Sequence, residues 1–438
     1  MRMGLSVSGV CLCGSLLAGN TQLHAIDKHS AFNDMKRWQN NQTALKQGSG
    51  TWGKHMTLTW SIVPDGTATQ SSKFSGKRYS SLIATLDKRF GAGPGGNDLT
   101  LRPWFDTFSG VYERWDQLSG LRFVYQSNDD GKIHGQSGWK GVAGKRGDMR
   151  ICGTSIDGSS GSNTLAYNYY PQNGDMNLDI DNKNSWRLFD INKPVSSSKN
   201  NSYFINILTH ETGHGLGLPH VESSDSKQLM EPYASSAFFG PQMDDILMIQ
   251  RLYGDNLEDQ GGNNTRTTAT DIGHLTAGTS WSIGMDAHRS KNDYVAPGQS
   301  DFISINDDSD TDYFKFEIDA PSQLDILLNP AGITYKQGKQ GGTQTILDMT
   351  QLSDLRFDIL NERGGTLASF NDAGLGDLEM ATDFLFEDAG TYFLRVKGDS
   401  NNAQFYSLQM DVAAIPEPAA FAVMLLGSLG MLRRKRCN

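Results

Sequence analysis

The chain has 438 residues, 37% hydrophobic and 10% aromatic, with 48 glycines and 13 prolines, a composition that excludes collagen, coiled coil and wholesale disorder. At roughly 100–200 residues per domain, this length predicts two or three domains, each large enough to bury a core. A formal charge of −10 at pH 7 excludes the broad basic surface on which binding to nucleic acid or anionic membranes depends.

Residues 1–25 read as a secretory signal: Arg2 near the start, an apolar run from Leu5 to Leu17, then polar residues ending at Ala25. The competing reading is an uncleaved anchor, but the run is shorter than the roughly 20 residues a span needs. Residues 26–50, polar and rich in Gln and Asn, read as a lead-in or short pro-segment. Thr57–Ile62 alternates as a strand does and is closed by the turn Pro64-Asp65-Gly66. Phe105, Phe108, Val111, Tyr112, Trp115 and Leu118 recur at helical spacing up to Gly120. Strands are expected at Leu121–Tyr125, Asp148–Cys152 and Thr164–Tyr169. A polar loop, Ser196–Ser202, leads into an apolar helix from Tyr203, and a last helix, Asp244–Tyr253, is capped by Gly254. These elements delimit a domain over 51–256. With both ends removed, only Cys152 remains of the four cysteines, which reads as a buried structural thiol.

Residues 257–297 read as a linker rich in Asp, Asn, Gly and Thr. Over 298–412, alternating runs such as Tyr313–Ile318, Gln323–Leu328, Leu355–Leu360, Thr391–Val396 and Phe405–Val412 predict an all-β sandwich. Asp259–Asp411 holds 24 acids against 10 bases, so the acidity sits in this half. Residues 413–438 carry Pro416-Glu417-Pro418, an apolar stretch from Ala419 to Leu432, and Arg433-Arg434-Lys435-Arg436. Turn, apolar segment and basic stop follow in the order a membrane-retained tail requires.

The chemistry is concentrated in His210-Glu211-Thr212-Gly213-His214-Gly215-Leu216-Gly217-Leu218-Pro219-His220. Residues four apart on a helix share a face, so His210 and His214 can converge on one tetrahedral ion. Gly217 lets the chain leave the helix and bring in His220 as third ligand. The fourth position is left for water, and Glu211 stands where it can take that water's proton. The spacing predicts bound zinc, with Glu211 as the catalytic residue.

The pattern HExxHxxGxxH resembles that of the metzincins, and Met230, within Leu229-Met230-Glu231-Pro232-Tyr233, resembles their Met-turn. Within that group the chain is similar to bacterial matrixins. The likeness is carried by Leu58-Thr59-Trp60-Ser61, Asp148-Met149-Arg150-Ile151, Thr164-Leu165-Ala166 before Pro171, Asp179 before Trp186, and Asp244-Asp245-Ile246 with Tyr253-Gly254. It implies an α+β fold: a metzincin catalytic domain, with a twisted mixed sheet and an active-site helix, followed by the all-β sandwich domain. Three features depart from the family. Tyr167 and Asn177 stand where many matrixins place histidines of a second zinc site, which is therefore not expected. No cysteine occurs between 26 and 151 to match the family's pro-segment thiol, and Glu231 replaces the aromatic residue common after the Met. Asp157, Asp179 and Asp181 are candidate calcium ligands, being hard oxygen donors near glycine-rich turns, against the equal alternative of solvated turn acids.

Asp307-Asp308-Ser309-Asp310-Thr311-Asp312-Tyr313-Phe314 and Ala389-Gly390-Thr391-Tyr392-Phe393 resemble the bacterial pre-peptidase C-terminal domain. Asp307, Asp310 and Asp312 are further candidate calcium ligands, against the alternative of a solvated acidic loop. The tail resembles a PEP-CTERM sorting signal of Gram-negative bacteria, which implies an exosortase partner, transient membrane contact through both termini and a secreted or surface-held product. Two functions compete. One is a secreted zinc endopeptidase acting on protein or peptide substrates; the other is a surface or biofilm-matrix binding protein with a degenerate or self-processing protease domain. The presence of Glu211 beside three histidines favours the first, since a binding module has no use for a general base.

Overall fold

The computed structural model describes residues 34–39, 51–71, 74–136, 141–157, 164–188, 202–224 and 227–415. The signal segment and the tail from residue 416 onward lie outside the described residues.

The first half is built on a five-stranded mixed sheet. Its strands are β1 (Met56–Ile62), β4 (Leu121–Tyr125), β5 (Met149–Thr154), β6 (Ala166–Asn168) and β7 (Met176–Asp179), ordered β4-β1-β5-β7-β6; Ala68–Thr69 (β2) and Arg78–Tyr79 (β3) form a small separate pair. All pairings in the sheet are parallel except β6 with β7, so β6 is an antiparallel edge strand. Every residue of β1, β5 and β7 is buried, as strands covered on both faces require. α1 (Leu82–Phe90), which no periodicity had announced, packs against β5. α2 (Phe105–Gln117) turns Phe105, Phe108, Val111, Tyr112 and Trp115 inward, and Trp60 of β1 stacks on Tyr112 at 4.5 Å between ring centroids. α3 (Ser202–Leu216) is buried on every side except at Tyr203, and α4 (Met243–Tyr253) is buried throughout. Gln242 and Asp245 form a reciprocal capping box at the start of α4, which satisfies amide groups that would otherwise lack partners there.

The second half is a sandwich of two sheets. One has the order β10-β20-β13-β18, with β11 also on β20, and the other β17-β16-β19-β12-β9. Its strands are β9 (Thr270–Leu275), β10 (Ser280–Ile283), β11 (Ile303–Ile305), β12 (Asp312–Ile318), β13 (Ser322–Pro330), β16 (Leu355–Asn361), β17 (Thr366–Phe370), β18 (Glu379–Phe386), β19 (Gly390–Gly398) and β20 (Gln404–Ala414). Strict alternation of burial along β12 and β13 sends Phe314, Phe316, Ile318, Leu324, Ile326 and Leu328 into the space between the sheets. The expectation of a linker over 257–297 is corrected here, because this segment supplies β9, which pairs in parallel with β12, and β10, which pairs with β20. Both lie at sheet edges and are half-exposed; β9 lacks the apolar alternation that marks an inner strand, and β10, where Trp281 and Ile283 do alternate with serines, is only four residues long.

Two further pieces bind the halves together. The hairpin β14 (Thr334–Lys339) and β15 (Thr345–Asp348) leaves the sandwich and pairs through β14 with β8 (Val221–Glu222), two residues that directly follow His220. Residues 34–39, from the segment expected to be a polar lead-in, lie across the ends of α3 and α4. Trp38 Nε1 donates to the Gly215 carbonyl at 2.9 Å, Arg37 Nε to that of Leu252 at 2.7 Å, and the Lys36 amide to that of Gly217 at 3.0 Å. Met35 and Trp38 are buried in the same cluster as Leu216, Met230, Ile333, Tyr335 and Phe405. No helix among the described residues is long and apolar enough to cross a membrane.

Candidate active site

α3 carries His210, Glu211 and His214, all fully buried, and the chain beyond it carries His220 at 8% exposure. The three Nε2 atoms meet: His210 to His214 3.1 Å, His210 to His220 3.2 Å, His214 to His220 3.1 Å. On the opposite side of each ring Nδ1 has an oxygen partner, the Leu229 carbonyl for His210 at 2.6 Å, the Leu218 carbonyl for His214 at 2.7 Å, and Gln340 Oε1 for His220 at 2.7 Å. An oxygen acceptor requires the proton on Nδ1, which leaves three Nε2 lone pairs facing one point. Burial pushes His210 down to about 3 and His220 down to about 4, and drives His214 well below its ordinary range; neighbouring imidazoles add to the effect at His210 and His214. Three neutral imidazoles so arranged repel one another unless a cation accepts their lone pairs. The spacing suits a small tetrahedral ion with nitrogen ligands about 2.0–2.1 Å away, and so the donor set fits zinc.

Local sequence explains how the third ligand arrives. Gly217 has φ +111°, a conformation that glycine adopts without strain, and its amide still closes the helix on the Gly213 carbonyl at 3.0 Å. A Cβ at Gly217 would be driven into the Lys36 carbonyl. Gly217→Ala is therefore expected to cost about 2–4 kcal/mol by combining backbone strain with overpacking. Urea denaturation measures this, and a loss below about 0.5 kcal/mol, the range of a neutral surface change, would remove the role given to Gly217.

Met230 sits under α3, where a Cβ on Gly213 would lie 2.6 Å from its sulfur. The Met-turn is held from α4: Asp245 accepts the amides of Leu229 and Met230 at 2.7 and 2.9 Å, and the Leu229 carbonyl in turn holds His210. Burial, aided by Asp244, raises the Asp245 carboxyl to about 7, and burial raises Glu231 to about 8. Glu231 accepts the Ser223 amide at 2.9 Å, tying the Met-turn to the segment after His220. Alongside, Asn168 of the edge strand β6 donates from Nδ2 to the Glu211 carbonyl at 2.5 Å.

Tyr167 and Asn177 hydrogen-bond to each other at 2.9 Å, with Thr154 as a second partner of Asn177. Cys152 is buried with a free thiol, pushed well up by its burial, and lies 3.2 Å from His134 Nδ1.

Among the described residues, three His, Cys, Asp or Glu ligand atoms come within 4.8 Å of one another in two places: the histidine triad, and Glu258 with Asp310 and Asp312. Of the acids singled out in the sequence, Asp310 and Asp312 are thus brought together. Asp307 instead lies 3.5 Å from the Arg251 guanidinium, and Glu258 joins the pair. Asn263, 1% exposed, lies beside them through the bond from the Tyr313 amide to its carbonyl, and neither atom of its side-chain amide has a hydrogen-bond partner. Asp157 accepts the Thr164 amide, Asp179 accepts those of Ile156 and Asp181, and Asp181 accepts the Ser155 hydroxyl. Residues missed in the sequence, Gln340 and Glu258, act across long separations that periodicity does not reveal.

The site is thus a buried triad of histidines, two of them on α3, with the carboxylate of Glu211 adjacent on the same helix. Residues 97–254 match the matrixin family, so this stretch is a matrixin domain, and the match supports a metalloprotease. The hatching enzyme of Paracentrotus lividus is 30% identical over 177 residues, which are 39% of this chain and 25% of that protein. Matrix metalloproteinase-B of Caenorhabditis elegans is 32% identical over 99 residues, 22% of this chain and 18% of that one. The chain therefore spans a quarter or less of these relatives. Among solved structures, the pre-peptidase C-terminal domain of collagenase from Bacillus anthracis aligns with 33% of this chain and 95% of its own length, at 13% identity and a TM-score of 0.18. At that score the likeness assigns neither fold nor function to the second half.

Proposed function

We propose that the chain is a secreted zinc endopeptidase that cuts extracellular proteins, with Glu211 as its general base. The observation that carries this reading is the meeting of three neutral imidazole Nε2 atoms at 3.1–3.2 Å next to a buried carboxylate on the same helix. His210, His214 and His220 would hold the zinc, which when bound supplies Lewis acidity toward a water and a carbonyl oxygen. Glu211 accepts the attacking water's proton and returns it to the departing amine. The edge strand β6 offers backbone groups to an extended peptide, a mode that tolerates many sequences. Calcium belongs to the same reading, with Glu258, Asp310 and Asp312 as its carboxylates. Export rests on the signal over 1–25 and on removal, by exosortase-type machinery, of the tail that follows β20, which would leave the protein outside a Gram-negative cell.

The test is digestion of casein and a mixed-peptide library, read by mass spectrometry. Cuts that vanish on chelation and return with stoichiometric zinc are expected. A folded, zinc-loaded protein that leaves every substrate intact would shift the reading to a binding protein with a degenerate protease domain.

A further inference from the structure

The matrixin match ends at residue 254, yet one of the three ligand histidines is held from beyond it. His210 and His214 give their Nδ1 protons to carbonyls of the catalytic half, those of Leu229 and Leu218. His220, which has left the helix, gives its proton to the side-chain oxygen of Gln340, 120 residues further on, at 2.7 Å. Gln340 sits at the tip of the β14–β15 hairpin, and that tip is fixed on both sides of Gln340. β14 pairs with β8 immediately after His220, Lys339 opposite Val221 and Gly338 opposite Glu222. The Gly341 amide donates to Glu222 Oε2 at 2.7 Å. At the hairpin's base the Tyr335 hydroxyl bonds the Asp244 carboxylate, while Tyr335, Leu347 and Met349 are buried in the cluster that holds Leu216, Leu218 and Met230.

We propose that Gln340 is the positioning residue of His220, so that the metal centre of the first half is completed by a hairpin of the second. The amide oxygen can only accept from Nδ1, which keeps the His220 proton away from Nε2 and turns that lone pair toward the other two. Without it the ring gains a second tautomer, with an N–H aimed into the triad, and freedom to rotate. Partners of this kind set the orientation and basicity of ligand histidines, and their loss typically costs about 10–100-fold in metal affinity or activity. Gln340 is itself exposed, so its substitution leaves the core packing alone.

The proposal rests on the zinc reading, and its test separates the two. Zinc dissociation constants of the full chain, wild type and variants, would be measured by competition with a chromophoric chelator, together with the melting temperature of each metal-free protein. Gln340→Ala is expected to weaken zinc binding about 10–100-fold without lowering that melting temperature. Gln340→Glu, which still accepts from Nδ1, should bind zinc as tightly as the wild type or more so. Lys339→Ala, one residue away and engaged with Asp34, should match the wild type. An unchanged zinc constant in Gln340→Ala would overturn the proposal and leave the peptidase reading standing. Equal weakening in Gln340→Glu or Lys339→Ala would also overturn it, by tracing the effect to the hairpin as a whole. A wild-type chain that takes up no zinc would sink both.

Discussion

Glu211→Gln is expected to lower peptide hydrolysis by about 10²–10⁴-fold, the usual contribution of a positioned proton-transfer group, while zinc content and melting temperature stay at wild-type values. The substitution is isosteric and leaves untouched the Nε2 atoms of His210, His214 and His220 and the three oxygens that hold their Nδ1 protons. It removes only the capacity to take up and return a proton within the buried site. Turnover of a defined peptide cut by the wild type, with zinc measured in the same preparations, makes the comparison. Full activity in Glu211→Gln would reject the assignment of the general base. Activity lost together with zinc would show that Glu211 supports the metal site structurally.

The second large effect concerns the carboxylates at the junction of the two halves. Burial raises Asp255 to about 7, Glu258 to about 8 and Asp310 to about 6, and places Asp312 well above its ordinary range; repulsion from Asp310 adds to the other three, and repulsion from Asp307 adds to Asp310. Raised acids mean that the folded chain keeps protons that the unfolded chain has released between pH 4 and 8, so stability falls as pH rises through that window. The stabilisation is fully present below about pH 4 and lost above about pH 8. A carboxyl raised by two units costs about 3 kcal/mol once ionised, which for a protein of this size corresponds to a Tm loss on the order of 3–4 °C for each such group. In calcium-free, zinc-containing buffer, Tm should drop between pH 5 and pH 8.5. Millimolar calcium should restore it at pH 8.5 and do little at pH 5, because the cation competes with the protons. Glu258→Gln with Asp312→Asn should flatten the pH profile and abolish the calcium response. A calcium-free profile with no downward slope would contradict the raised carboxyls, and calcium without effect at pH 8.5 would contradict the cation site.

The histidine motif was legible because its geometry is local: four residues set the shared helical face, and one glycine at positive φ sets the exit. The same holds for α2 and α4, whose apolar stripes repeat every turn, and for β12, whose alternation is unbroken. The hairpin β14–β15 was not legible. Its sequence, Thr334-Tyr335-Lys336-Gln337-Gly338-Lys339, is mostly polar, and what pins it is pairing with β8 and burial of Tyr335 and Leu347 against helices far away in sequence. Residues 34–39 escaped for a related reason, since Met35 and Trp38 gain their burial from the ends of α3 and α4 inside a Gln- and Asn-rich stretch. Asp307 looked equivalent to Asp310 and Asp312. Only the approach of Arg251 on one side and Glu258 on the other separates them.

The buried cluster that joins Trp38, Leu216 and Met230 to Ile333, Tyr335, Met349 and Phe405 makes the junction near residue 256 a boundary of resemblance rather than of cooperativity. A polypeptide ending there would leave an uncovered apolar face on its helices, and one beginning there would carry a hairpin with nothing to grip. The two halves are thus interdependent in manufacture: the segment made first waits, with α3 incompletely covered, until the hairpin β14–β15 further along the chain has been synthesised. Such a delay leaves the histidine site unfinished until the hairpin that holds His220 has been made.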